Sequence, residues 1–363
     1  YDGKESLSGL PATYVEDSKE AETLEIVLQD KKEDVRIVLS YTIFRDYPVI
    51  TKNVRFINDS SKKITLLSAM TSCVDFPDKE FVMVDLAGAW SRERNIREHK
   101  LDYGVQSVHS MRGCSSHQFN PFLALKREHT DEFQGEIYGF SFVYSGNFLA
   151  QVEVDDYDVT RVLLGIHPNG FHWELGRGEE FQTPEAVLAY SDQGMNRMSQ
   201  VYHELYRTRL ARGVWRDKVR PILINNWEAT YFDFNEEKIL AIAEVAKRIG
   251  VELFVLDDGW FGERHGIDNG LGDWYVNEEK FPNGLNPLIN EVKAMDMMFG
   301  IWVEPEMVNP LSNLYKEHPE WIYHFDSRES DTSRGQYVLD VTKKEVKDFI
   351  YNMLDLSLIH ISE

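Results

Sequence analysis

At 363 residues the chain exceeds one ordinary domain and suggests two. Its 61 acidic against 39 basic residues give a formal net charge of −22, which repels a phosphate backbone and argues against nucleic acid as a partner. Cys73 and Cys114 are too few for a disulfide framework or a four-cysteine zinc site and fit a reducing interior, and no apolar run reaches the roughly 18 residues that span a bilayer.

Up to about residue 190 the chain reads as short strands separated by turn residues. Leu24 to Leu28, Val35 to Phe44, Val49 to Ile57, Gly135 to Tyr144 and Phe148 to Val154 are rich in β-branched and aromatic residues, and clusters such as Asn58-Asp59-Ser60-Ser61 and Ser145-Gly146-Asn147 divide them. This predicts an all-β sandwich. After Gly194 the period changes: Met198, Val201, Tyr202 and Leu205 mark one buried helix face, expected to join two halves before Pro221. From Ile222 strands and helices alternate. Ile222 to Ile224 precedes a helix over Glu236 to Ile249, with Asn235 as N-cap, Ile239, Ile242, Ala246 and Ile249 as its inner stripe, and Gly250 at C′. A strand from Val251 to Leu256, a helix around Pro287 to Met297 and a strand from Phe299 to Val303 follow. Such βαβα order argues an α/β barrel or a doubly wound sheet, and the wide loop from Asp258 to Pro287 favours the barrel.

Three strand ends carry carboxylates and tryptophans: Asn225-Asn226-Trp227-Glu228-Ala229, Asp257-Asp258-Gly259-Trp260 and Trp302-Val303-Glu304-Pro305-Glu306. In a parallel barrel the chemistry sits where strands end. Carboxylates beside indole faces suit a sugar ring, with hydroxyls on one side and C–H bonds on the other, and point to a glycosidase. Asp257 and Asp258 would repel each other at the end of a buried strand, so the pair expects a cation or a polyhydroxylated ligand; a capping Asp beside a solvated one is the plainer alternative. Asp258, His265 and Glu304 are the set a metal would use, but no close His–His or His–Glu pair supports it. Trp227, Trp260, Trp274 and Trp302 are either core or stacking platforms. One of Glu304 and Glu306 is expected to bind ligand while the other pairs with an arginine, and Arg334 is either a surface charge or a fork on a carboxylate. In the β half, the polar loop Ser110 to Gln118 reads as a hydrogen-bonded turn with His117 structural, and Trp90 reads as half-buried packing.

Together these motifs resemble the α-galactosidases of glycoside hydrolase family 36. The likeness runs from Leu10-Pro11-Ala12-Thr13-Tyr14 through Asp192-Gln193-Gly194 and the barrel motifs to Gln336-Tyr337-Val338-Leu339-Asp340. It implies a multidomain chain: an all-β supersandwich over 1–193, a linking helix over 194–218, and the first part of an α/β (β/α)8 TIM barrel over 219–355, about three βα units. It also implies retaining hydrolysis of terminal α-galactosides such as raffinose and melibiose in carbohydrate catabolism, with no metal or organic cofactor, in a homotetramer of the bacterial cytoplasm. By the same resemblance Asp257 and Asp258 match the pair that hydrogen-bonds galactose hydroxyls, Trp227 and Trp302 match pocket tryptophans, and Arg334 matches the arginine near the nucleophile. Trp90 matches a tryptophan that the β domain gives to a galactose pocket, that of a neighbouring subunit being one reading.

The family's nucleophile is an Asp following a Lys-Trp pair on the next strand, with the acid/base Asp beyond it. Here Thr342-Lys343-Lys344-Glu345 has the form of a capping box, Val346, Phe349, Ile350 and Met353 continue a helical stripe, and Leu356 to Glu363 then reads as a tail foreign to the family. Both ends read as cut, so the polypeptide alone is expected to be inactive and poorly soluble. A galactosyl-transferring relative and a non-catalytic galactoside-binding or assembly module are the alternatives.

Overall fold

The computed structural model describes residues 1–362, with side chains through Asp355, and the chain divides into two compact units, Tyr1–Lys218 and the residues from Val219 onward. The expected foreign tail from Leu356 lies outside the described side chains.

The first unit is a sandwich of antiparallel sheets. The larger runs Ala21–Asp30, Val35–Phe44, Val49–Asn58, Glu185–Ser191, Ile137–Val143, Phe119–Lys126, Val82–Ala89 and Arg92–Lys100, with Glu180–Gln182 also pairing with Val49–Asn58. The smaller runs Met70–Phe76, Thr160–Ile166, Phe148–Val154 and Gly104–Ser110. Strict alternation along Phe148–Val154 sends Phe148, Ala150, Val152 and Val154 into the core, where they meet Leu123, Leu125, Phe140 and Phe142 of the larger sheet. The other face of the larger sheet is covered by the helix Gly194–Arg209, which buries Met198, Val201, Tyr202 and Leu205 against Phe44, Val49, Ile137 and Val187. Burying four such side chains stabilises by roughly 1.5–3 kcal/mol each. The helix read as a connector thus packs as part of the first unit. Its approach depends on Gly139, where a Cβ would lie 2.8 Å from Met198 Sδ and from the Tyr202 ring.

The second unit holds a parallel sheet of Leu223–Asn225, Leu253–Leu256 and Met298–Ile301, paired in register, with the helices Glu236–Arg248 and Asn286–Ala294 between successive strands. Phe254, Leu256 and Phe299 pack with Ile239, Ala243, Leu288, Ile289 and Val292 of the helices. Asn235 caps the first helix by accepting from Lys238 N–H at 3.0 Å. Its inner face is Ile239, Ala243 and Ala246, and Ile249 is 74% exposed: the last residue of the expected stripe is already the C-cap, beyond the turn that faces the core. The capping box expected at Thr342 does not form, because its hydroxyl donates to Asp340 and the helix starts at Lys344; Val346 and Met353 are nonetheless buried along it. Among the described residues no sheet closes into a barrel, and no helix is long and apolar enough to cross a membrane. The architecture is a β-sandwich followed by an α/β unit.

Candidate functional site

Parallel pairing in register brings the C-terminal ends of the three strands of the second unit to one edge. There Asn226, Asp257 and Trp302 are neighbours: Asp257 N–H donates to Asn226 Oδ1 at 2.9 Å, and Trp302 N–H donates to the Leu256 carbonyl at 2.9 Å. Asp257 and Asp258 are both buried and are held in different ways. Asp257 Oδ1 accepts the Asp258 N–H at 2.7 Å, and its other oxygen takes no hydrogen bond among the described residues. Burial pushes the Asp257 carboxyl above its ordinary value, the Asp258 N–H draws it back, and the Asp258 charge adds to the rise.

Asp258 is clamped by Arg264, whose Nε and Nη2 donate to its two oxygens at 2.9 and 2.8 Å. This guanidinium has no exposed surface; its Nη1 donates to the carbonyls of Ile267 and Asn269 and to Asn309 Oδ1 at 2.9–3.0 Å. Asn309 is fixed in turn by donating to the Ile267 and Gly335 carbonyls. The turn between the carboxylates and Arg264 requires Gly259, at φ +102°.

The indoles separate by role. Trp260 is core: it is buried and donates Nε1–H to the Trp302 carbonyl at 2.8 Å. Trp302 is half-buried and stacks on Phe261 at 6.4 Å and 14°. Trp274 lies against Phe261 at 4.4 Å, and its Nε1 is buried without a partner among the described residues. Trp227, half-buried at the start of a one-turn helix, is held edge-to-face by Tyr231 and Phe232 at 5.2 and 5.1 Å. Glu304 Oε1 is 3.8 Å from Arg334 Nη1, while Glu304 Oε2 is buried and has no partner among the described residues; burial raises this carboxyl and Arg334 opposes the rise. Glu306 is exposed.

His265 lies near Glu263 and Glu279 and does not join Asp258 and Glu304. Trp90, in the first unit, is 83% exposed in the turn between Val82–Ala89 and Arg92–Lys100, so half-buried packing does not describe it. The fork on a carboxylate is Arg264, which has no place among the residues the sequence singles out; nor have Asn309 and Lys280, whereas Asn226 lies in the first strand-end motif. The available signal was a lone arginine six residues after the Asp pair in a glycine-rich loop. Adjacent carboxylates with one open oxygen, on the same strand-end edge as Trp302, are equipped to bind a polyhydroxylated neutral ligand.

A model of the glycosyl hydrolase family 36 N-terminal domain matches residues 1–176, and a melibiase model matches residues 180–362. Alpha-galactosidase AgaA of Geobacillus stearothermophilus is 57% identical over 350 residues, which cover 96% of this chain and 48% of that protein. Alpha-galactosidase 1 of Pediococcus pentosaceus is 46% identical, with 97% of this chain and 48% of that protein covered. The crystal structure of AgaA superposes with a TM-score of 0.98 at 55% identity, over 99% of this chain and 50% of that one, and a variant of AgaA has been solved in complex with stachyose. The chain spans about half the length of the curated relatives it matches. With both domain models matched in succession along it, the chain belongs to glycosyl hydrolase family 36.

Proposed function

We propose that this chain is part of a retaining α-galactosidase that removes terminal α-galactosyl units from oligosaccharides of the raffinose and melibiose type in the bacterial cytoplasm. In this reading residues 1–193 are the family's β-supersandwich, 194–218 follow as its closing helix and connection, and 219–355 supply the opening three βα units of a (β/α)8 barrel. What supports it most is the meeting of Asp257, Asp258 and Trp302 at the C-terminal ends of parallel strands, the working face of such a barrel. Asp257 and Asp258 accept hydrogen bonds from galactose hydroxyls, Trp302 and Trp227 face the C–H side of the ring, and Arg334 stands beside Glu304 near the reacting carbon. Trp90 reaches the galactose pocket of a neighbouring subunit in a homotetramer. No metal or organic cofactor takes part.

Retaining hydrolysis needs two carboxyls roughly 5 Å apart, a nucleophile and an acid/base. Asp258 is clamped through both oxygens and Asp257 receives ligand; the family resemblance puts the nucleophile on an Asp after a Lys-Trp pair, with the acid/base Asp beyond it, so in this reading the reacting pair belongs to parts of the full-length polypeptide other than residues 1–363. The full-length polypeptide is therefore expected to hydrolyse an aryl α-galactoside, and Asp257→Asn to lower its kcat/KM by about 10- to 100-fold, the loss of one charged hydrogen bond. Residues 1–363 alone are expected to give no turnover above blank. Turnover by that chain, or indifference of the full-length protein to Asp257→Asn, would overturn the reading. Galactose binding in a full-length protein without turnover would install the non-catalytic binding module instead.

A further inference from the structure

Lys280 is buried, yet among the described residues no carboxylate lies within ion-pairing distance of it. Its ammonium donates to three main-chain carbonyls: Gly259 at 2.8 Å, Phe232 at 2.9 Å and Arg264 at 3.3 Å. The Phe234 ring lies beneath it, 4.3 Å from centroid to Nζ. All three N–H donors are matched to oxygens, as a small monovalent cation in an oxygen cage would be.

The three carbonyls come from two different strand ends. Phe232 belongs to the loop that carries Trp227 after Leu223–Asn225; Gly259 and Arg264 lie in the loop that begins with Asp257 and Asp258 after Leu253–Leu256. Lys280 is itself anchored, because its N–H donates to Asn277 Oδ1 at 3.0 Å while Asn277 Nδ2 donates to the Gly262 carbonyl at 2.7 Å. A Cβ at position 259 would sit 3.2 Å from Lys280 Nζ, so the same glycine serves the turn and the cage. Burying an ammonium costs several kcal/mol unless its hydrogen bonds are replaced, and here they are replaced only by bonds that tie these loops together.

We infer that Lys280 is a positioning residue for the galactoside site, a tethered cation whose carbonyl cage fixes the Trp227 loop against the Asp257–Asp258 loop. The inference rests on the galactoside reading given above. Burial pushes the ammonium down to about 8, against the upward pull of the Asp258 charge.

The test uses the full-length polypeptide and an aryl α-galactoside. Lys280→Met, which keeps the stem and loses the charge, is expected to raise KM about tenfold or more with kcat changed less than about threefold, because it loosens binding and leaves the reacting pair in place. In Lys280→Ala, ethylammonium chloride is expected to restore KM saturably, where sodium chloride at equal ionic strength does not. A KM within twofold of wild type in Lys280→Met, or a raised KM in Lys280→Ala that ethylammonium leaves unchanged, overturns the inference. One measurement needs no variant: reductive methylation of the wild-type protein, followed by peptide mass spectrometry, should modify Lys280 at least about fivefold more slowly with saturating galactose, because ligand holds the cage shut. Equal rates with and without galactose overturn the inference even where the variants do not fold. A wild-type protein that neither binds nor hydrolyses α-galactosides would defeat the galactoside reading instead.

Discussion

Asp257 and Asp258 share a peptide bond and differ in everything that holds them. Arg264 engages both Asp258 oxygens from a fully buried position. Asp258→Asn therefore strands a buried guanidinium, and the expected cost is about 3–5 kcal/mol in chemical denaturation. Asp257→Asn keeps an oxygen for the Asp258 N–H and the backbone N–H that donates to Asn226, while removing a carboxyl that burial holds above its ordinary value of 3.8. A raised folded value means that the folded state holds this proton more tightly than the unfolded one. The ionised group therefore costs stability that is absent below the ordinary value and complete above the folded one. Asp257→Asn should thus melt at a higher temperature than wild type at pH 7, with the gap closing as the pH falls toward 3; a gap independent of pH would refute this account.

Among the elements, the helix Gly194–Arg209 rests on the sheet only because position 139 has no side chain. Gly139→Val would press on Met198 and on Tyr202, which is itself fixed by donating to the Val187 carbonyl at 3.0 Å. Overpacking of this kind costs about 1–3 kcal/mol, read as a lower denaturation midpoint, and Tyr202→Ala in the same chain should recover part of it. The helix was legible because its apolar residues repeat at helical spacing, and the strands Val35–Phe44 and Phe148–Val154 because β-branched and aromatic residues fill them. Arg92–Lys100 was not legible. Eight of its nine residues are polar or charged, and only pairing with Val82–Ala89 makes it a strand. The site divides similarly. Asp257, Asp258 and Trp302 announce themselves at the ends of apolar runs, whereas Arg264 and Lys280 sit in a long irregular loop where no periodicity tells which distant carbonyl or carboxylate will meet them.

Over the whole molecule, the larger sheet is wider than the sheet that covers it. Leu24, Ile26 and Leu28 lie opposite Tyr41, Leu39 and Ile37, Ile43 lies opposite Ile50, and Leu24, Ile26, Leu28, Ile43 and Ile50 are all exposed. A contiguous apolar sheet face of this kind favours self-association. Residues 1–363 alone should scatter light as an associated species, and Ile26→Lys with Ile43→Glu should shift the population toward monomer in size-exclusion chromatography. A monomeric parent chain would contradict this. The pairing of Asp258 with Arg264 has one further consequence, for which sugars can enter. Because that charge is cancelled within the protein, Asp257 is the member of the adjacent pair that leaves an uncompensated negative charge at the strand ends, inside a chain of net charge −22. In the galactoside reading proposed above, a uronic acid of the same stereochemistry is expected to meet anion against anion and bind more weakly than the neutral hexose, while a basic sugar mimic binds more tightly.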